Sequence, residues 1–144
     1  MNKTLCRRAI EARFVTAFYG QLQPGGALAY CNAGHNPPFL FSNLGTTRLE
    51  TGGSVLGMFD YAHFDTGATE FQSGDLLILF SDGVTEAEND TGEEFGDDRL
   101  AACVSRVRTR SAPEVLEAVQ REVRTFCGSA APRDDVTVMV VKAQ

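Results

Sequence analysis

Short apolar segments, closely punctuated by turn residues, fill the first half of the chain. Pro24-Gly25-Gly26, Asn36-Pro37-Pro38, Asn43-Leu44-Gly45, Gly52-Gly53 and Ser73-Gly74-Asp75 mark the breaks. Between them the residues have strand character. Phe14 to Gln23 alternates, with Val15, Ala17 and Tyr19 on one face. Ala27 to Cys31, Phe39 to Ser42 and Thr46 to Glu50 predict a meander, and Asp65 to Phe71 predicts a further strand. Leu76 to Phe80 is continuously apolar, which predicts a strand buried on both faces.

The period then changes. Leu100, Cys103, Val104 and Val107 fall on one face of a helix, with Asp97 as its expected N-cap. Ser111-Ala112-Pro113-Glu114 is a capping box with proline in the first turn. The helix it opens carries Val115, Leu116, Val119, Val123 and Cys127 as its buried stripe, and Gly128 closes it. Val136 to Val141 predicts a last strand. Strands followed by helices and a final strand indicate an α+β layered domain.

Composition adds constraints. With 144 residues, 43% hydrophobic and 22% charged, the chain is one soluble globular domain or part of one. Its net charge of -6 argues against nucleic acid, which needs a basic surface, and gives no reason to expect an anionic membrane. Cys6, Cys31, Cys103 and Cys127 form no zinc pattern; beside apolar stretches they read as buried reduced thiols, which points to the cytosol. No signal-peptide core and no run long enough to span a bilayer is present.

Two acidic positions stand out. Asp82 directly follows the buried strand, and Asp134 and Asp135 directly precede the last one. Carboxylates converging at strand ends bind hard divalent cations, and such a cation lowers the pKa of bound water. Taken singly, Asp82 reads sooner as a helix cap and Asp134 as a turn residue. His35, in a Gly/Pro-rich turn, reads as bonded to the turn backbone, and His63 as a surface residue. Thr91 to Gly96 matches no phosphate loop and reads as a flap or a simple loop.

In order along the chain, Phe14-Val15-Thr16-Ala17, Asn32-Ala33-Gly34-His35-Asn36-Pro37-Pro38, Ser54-Val55-Leu56-Gly57, Ser81-Asp82-Gly83-Val84-Thr85-Glu86-Ala87, Phe95-Gly96 and Asp134-Asp135-Val136-Thr137 resemble the sporulation-E-like phosphatases. These are the bacterial branch of the metal-dependent type 2C protein phosphatases. The resemblance covers nearly all of residues 1–144. It implies two antiparallel sheets packed face to face with helices outside, an αββα sandwich. It implies hydrolysis of phosphoserine or phosphothreonine by water activated on two Mn2+ or Mg2+ ions. Asp82 matches a metal-binding aspartate, and Asp134 matches the late one, with Asp135 as the second candidate there. Gly83 shapes the turn presenting Asp82, while Asn32, Gly34 and His35 match a structural turn.

The family also carries a Gly-Gly-Asp strand motif and an Asp-x-Ser-Gly-x-Gly segment, which supply the bridging aspartate. Neither is matched, and Asn2-Lys3-Thr4-Leu5 resembles the middle of the family domain. The resemblance therefore implies a C-terminal part of the domain, with its N-terminal strands missing and one side of the metal site present. Such a part is expected to be inactive alone and to expose sheet edges that rearrange or pair with a second copy. The implied substrate is a phosphoprotein, in this family often a small regulator of a sigma-factor pathway, for which an anti-sigma-factor antagonist is the candidate. The alternatives are a non-catalytic module that binds such regulators and a structural fragment with no independent role.

Overall fold

A computed structural model describes residues 1–7, 14–130 and 134–144. Along the chain it has α1 (Asn2–Arg7), β1 (Ala17–Leu22), β2 (Ala27–Ala33), β3 (Phe39–Ser42), β4 (Gly45–Arg48), β5 (Gly52–Gly53), β6 (Gly67–Glu70), β7 (Leu76–Phe80), α2 (Asp82–Thr85), α3 (Gly96–Val107), α4 (Ala112–Cys127) and β8 (Val138–Lys142). These fall into two units. One holds Met1–Pro37 and Arg48–Phe71, the other Pro38–Thr47 and Gln72–Gln144.

The first unit is built on β2. It pairs antiparallel with β1 on one side and, on the other, with β6 antiparallel and β5 parallel. Its alternation buries Leu28, Tyr30 and Asn32 on one face, the period-two pattern of a half-buried strand. The Phe18 ring stacks on Tyr30 at 5.6 Å. Gly52-Gly53, expected as a turn, instead makes the short parallel pairing with β2.

The second unit is a sheet of order β4-β3-β7-β8 with α3 and α4 packed on one face. Phe39, Phe41, Leu76, Ile78 and Phe80 point to that face and meet Leu100, Cys103, Val104 and Val107 of α3 and Val115, Ala118, Val119 and Val123 of α4. Leu40 and Leu77, on the opposite face, are also buried, as the continuous apolar run of β7 predicted. Each such side chain contributes about 1.5–3 kcal/mol when buried. The ion pair joining the two helices, Arg106 to Glu122 at 2.8 Å, is about half exposed on both sides. It contributes at most about 1 kcal/mol. Burial, not charge, therefore holds the helices to the sheet.

Several expectations are corrected. β2, β3 and β4 do not form a meander: β2 belongs to the first sheet, and only β3 and β4 are neighbours. α3 is capped at Phe95, and Asp97 lies inside its first turn, where its charge favours the helix N-terminus. Leu116 is only half-buried, and Ala118 takes its place in the stripe. The last strand starts at Val138 rather than Val136. All four cysteines are free, but only Cys103 is fully buried, and burial raises its thiol pKa. Thr91 to Gly96 belongs to a small hairpin. The Asn89 side chain organises it by accepting from the Thr91 and Glu93 amides, and Glu88 and Glu94 bridge its stems. Among the described residues no helix is long and apolar enough to cross a membrane.

Helix α4 starts as its sequence predicts. The Glu114 carboxylate accepts from the Ser111 hydroxyl at 2.5 Å and from the Ser111 amide at 3.0 Å. The hydroxyl bond first, then the amide bond, holds the Glu114 pKa below its ordinary value. A depressed carboxylate pKa stabilises the fold above the ordinary range, and that gain is lost as pH falls through the lowered value. The Tm gap between wild type and Glu114→Gln is therefore expected to close on acidification through that window. Thermal melts across acid pH check this, and a gap that stays constant contradicts it.

Candidate metal centre

Strand β7 delivers its last residue, Phe80, into the core, so the next residues emerge at the edge of that core. Ser81 is the N-cap of α2 and Asp82 its first residue. The chain turns there because Gly83 and Val84 are buried under the turn. Strand β8 runs antiparallel to β7, pairing Phe80 with Val138, so the residues before β8 arrive beside those after β7. This antiparallel register brings Asp134 and Asp135 to the Asp82 turn.

The two segments touch through backbone and Ser81. The Ser81 amide donates to the Thr137 carbonyl at 3.0 Å. The Ser81 hydroxyl donates to the Asp135 carbonyl at 2.9 Å and accepts from the Thr137 amide at 2.9 Å. Gly83 lies so close that a Cβ there would stand 2.5 Å from the Asp135 carbonyl oxygen. Asp82 Oδ1 accepts from the Gly83 amide at 3.0 Å, and Asp134 Oδ1 accepts from the Asp135 amide at 2.7 Å. These bonds fix each carboxylate over its own turn. Asp82, Asp134 and Asp135 are all exposed to solvent.

The expectation that Asp82 caps a helix is thus half met, since Ser81 is the cap and Asp82 follows it. Asn32, Gly34 and His35 lie in the other unit and form a turn, but the His35 ring, expected to bond the turn backbone, faces the Thr16 hydroxyl instead. Asn32 is buried; its side chain accepts from the His35 amide at 2.8 Å and donates to the His35 carbonyl at 2.9 Å. Gly34 has φ +70, and a Cβ there would meet Val55 at 2.6 Å. The His35 ring lies 3.3 Å from the Thr16 hydroxyl. His63 is exposed, as expected.

A cleft of about 670 Å³ opens beside the paired segments. Gly83, Glu86, Glu88, Glu94, Arg124 and Asp134 line its polar side, and Val123, Cys127 and Val136 contribute apolar surface. Sequence reasoning missed Ser81 and Thr137 as the residues joining the strand ends. The available signal was a hydroxyl at the first position past an apolar strand.

Carboxylate oxygens are the donors that Mn2+ and Mg2+ accept, so Asp82 and Asp134 suit such an ion in kind. They fall short in number. Among the described residues no three His, Cys, Asp or Glu side chains come together to hold a metal ion.

The model of the stage II sporulation protein E family matches residues 1–144. The chain belongs to that family. The similarity extends to curated proteins. Protein IcfG of Synechocystis is 32% identical over 132 residues, covering 90% of this chain and 21% of IcfG. Phosphoserine phosphatase RsbU of Bacillus subtilis is 35% identical over 98 residues, covering 64% of this chain and 28% of RsbU. The chain thus spans less than a third of either relative. The Mn-presoaked phosphatase domain of SpoIIE from Bacillus subtilis has the same fold, with a TM-score of 0.67 at 22% identity over 89% of this chain and 56% of that one. The mixed α+β class expected from the sequence is the one observed.

The contact at Gly83 is testable. An added methyl meets carbonyl backbone rather than a side chain that can swing away. Gly83→Ala is expected to lose about 1–3 kcal/mol by overpacking. Urea unfolding measures it, and a loss under about 0.5 kcal/mol, the level of an ordinary surface change, would show that the segments do not touch.

Proposed function

We propose that this chain is the C-terminal part of a metal-dependent protein serine/threonine phosphatase domain. In this reading Asp82 and Asp134 are the carboxylates it contributes to a Mn2+ or Mg2+ centre, and Asp135 is the alternate to Asp134. The observation that carries it is the junction of the Asp82 turn with the 134–137 segment, through Ser81 and Gly83. Bound there, the metal would supply an activated water.

Charge supports the need for metal. Among the described residues, Glu86, Glu88, Glu94 and Asp134 line the cleft with Arg124, and Asp82 and Asp135 flank Gly83 and Asp134 of that lining. A phosphomonoester dianion is repelled by such a surface unless cations intervene. The chain's own residues would hold those cations, orient them through the bonds at Gly83 and Asp135, and leave the cleft open to the substrate.

The substrate in this reading is phosphoserine or phosphothreonine on a regulatory protein. The similarity to phosphoserine phosphatase RsbU supports phosphoserine, and an anti-sigma-factor antagonist is the proposed partner. Free rather than bridged cysteines support a cytosolic setting.

Because the described residues form no three-donor cluster, the 144-residue chain alone is expected to show no Mn2+-dependent hydrolysis of p-nitrophenyl phosphate. A longer chain carrying the Gly-Gly-Asp and Asp-x-Ser-Gly-x-Gly segments upstream is expected to hydrolyse it, and Asp82→Ala to abolish that activity. Activity that survives Asp82→Ala removes Asp82 from the centre. An inactive but folded longer chain leaves the non-catalytic binding module as the better reading.

Strands β1, β4 and β8 lie at sheet edges among the described residues, and Tyr19, Leu22 and Met139 are exposed on β1 and β8. Open, apolar edges favour pairing. A homodimer is expected for the isolated chain, and a monomeric mass by light scattering at micromolar concentration contradicts it.

A further inference from the structure

We propose that Ser81 is a positioning residue: its side chain latches the 134–137 segment to the Asp82 turn and so sets where the two aspartates stand relative to each other. Its metal consequence rests on the phosphatase reading; the latch itself does not.

Phe80 and Val138 are the last paired residues of β7 and β8. Beyond them the chain leaves the strand to start α2, so the regular ladder ends at Val138. Ser81 continues the pairing with three bonds. Its amide meets the Thr137 carbonyl, and its hydroxyl serves the Thr137 amide and the Asp135 carbonyl together. The hydroxyl thereby uses both its donor and its acceptor capacity. Alanine can do neither, whereas threonine can do both.

The consequence is local. Thr137 and Asp135 are exposed, so water replaces the lost bonds and the fold is largely retained. The helix-facing core of the sheet, from Leu76 to Phe80, does not involve Ser81. What changes is the placement of Asp134 and Asp135, whose segment is tied to Asp82 through Ser81 and the Gly83 contact. Outer-shell groups that orient metal-binding side chains typically change metal affinity about 10- to 100-fold when removed.

The test uses amide-resolved NMR on the chain with Ser81→Ala and Ser81→Thr. Wild type is expected to show slowed exchange at the Thr137 amide and a nuclear Overhauser contact between Gly83 and Asp135. Ser81→Ala is expected to speed Thr137 exchange about tenfold or more and to lose that contact, while the β7–β8 amides stay protected. Ser81→Thr is expected to restore both. Titration with MnCl2 alone then reads the metal: the Asp82–Gly83 and Asp135 amides broaden together in wild type. The midpoint rises at least about tenfold in Ser81→Ala and returns in Ser81→Thr.

Thr137 exchange unchanged within about twofold in a folded Ser81→Ala overturns the latch. Faster exchange with an unchanged Mn2+ midpoint overturns the positioning role and leaves a structural serine. If Ser81→Ala does not fold, Ser81→Thr decides, because loss of the contact in a folded threonine variant also overturns the proposal. Wild type that shows no Mn2+ broadening at either aspartate overturns the metal assignment instead, and the latch stands or falls on exchange and contact.

Discussion

Burial of one face of the β3–β7–β8 sheet under α3 and α4 is the constraint on which the second unit depends. Phe39, Phe41, Leu76, Ile78 and Phe80 have no water-facing alternative, because a one-residue slip would turn them all away from the helices. That fixes the register of β7 against β8. Fixed register fixes which residues lie just beyond the strand ends. The Asp82 turn and the 134–137 segment meet because β7 and β8 pair in this register.

At the candidate centre this gives a division of labour. Apolar side chains choose the register, and a few polar contacts refine it over the last residues. Ser81 and Gly83 act where the ladder has ended, one through hydrogen bonds and the other through having no side chain. The three exposed carboxylates add charge of one sign. The Asn32–His35 turn in the first unit uses the same means for another purpose, closing a turn with one buried amide side chain.

The chain belongs to the stage II sporulation protein E family. Residues 1–144 cover only a fraction of the relatives, and the described residues provide carboxylates without a three-donor cluster.

By itself the sequence determined most of the elements. Period and capping made α3, α4, β3 and β7 legible, because a buried stripe leaves its spacing in the chain. Asp82 and Asp134 were legible as strand-end acids, and the Asn32–His35 segment as a turn. The meander through β2, β3 and β4 was misread, because short strands show that they are strands but not which sheet takes them. Gly52-Gly53 was misread as a turn, since glycine serves a close parallel approach as readily. Only the tertiary structure decided that Ser81, Gly83, Asp135 and Thr137 meet. They lie more than fifty positions apart, with separations of 54 and 56 at the two Ser81 hydroxyl bonds, and no local periodicity links them. Their contact follows from long-range β7–β8 pairing, which the buried sheet face imposes and which no short stretch of sequence encodes.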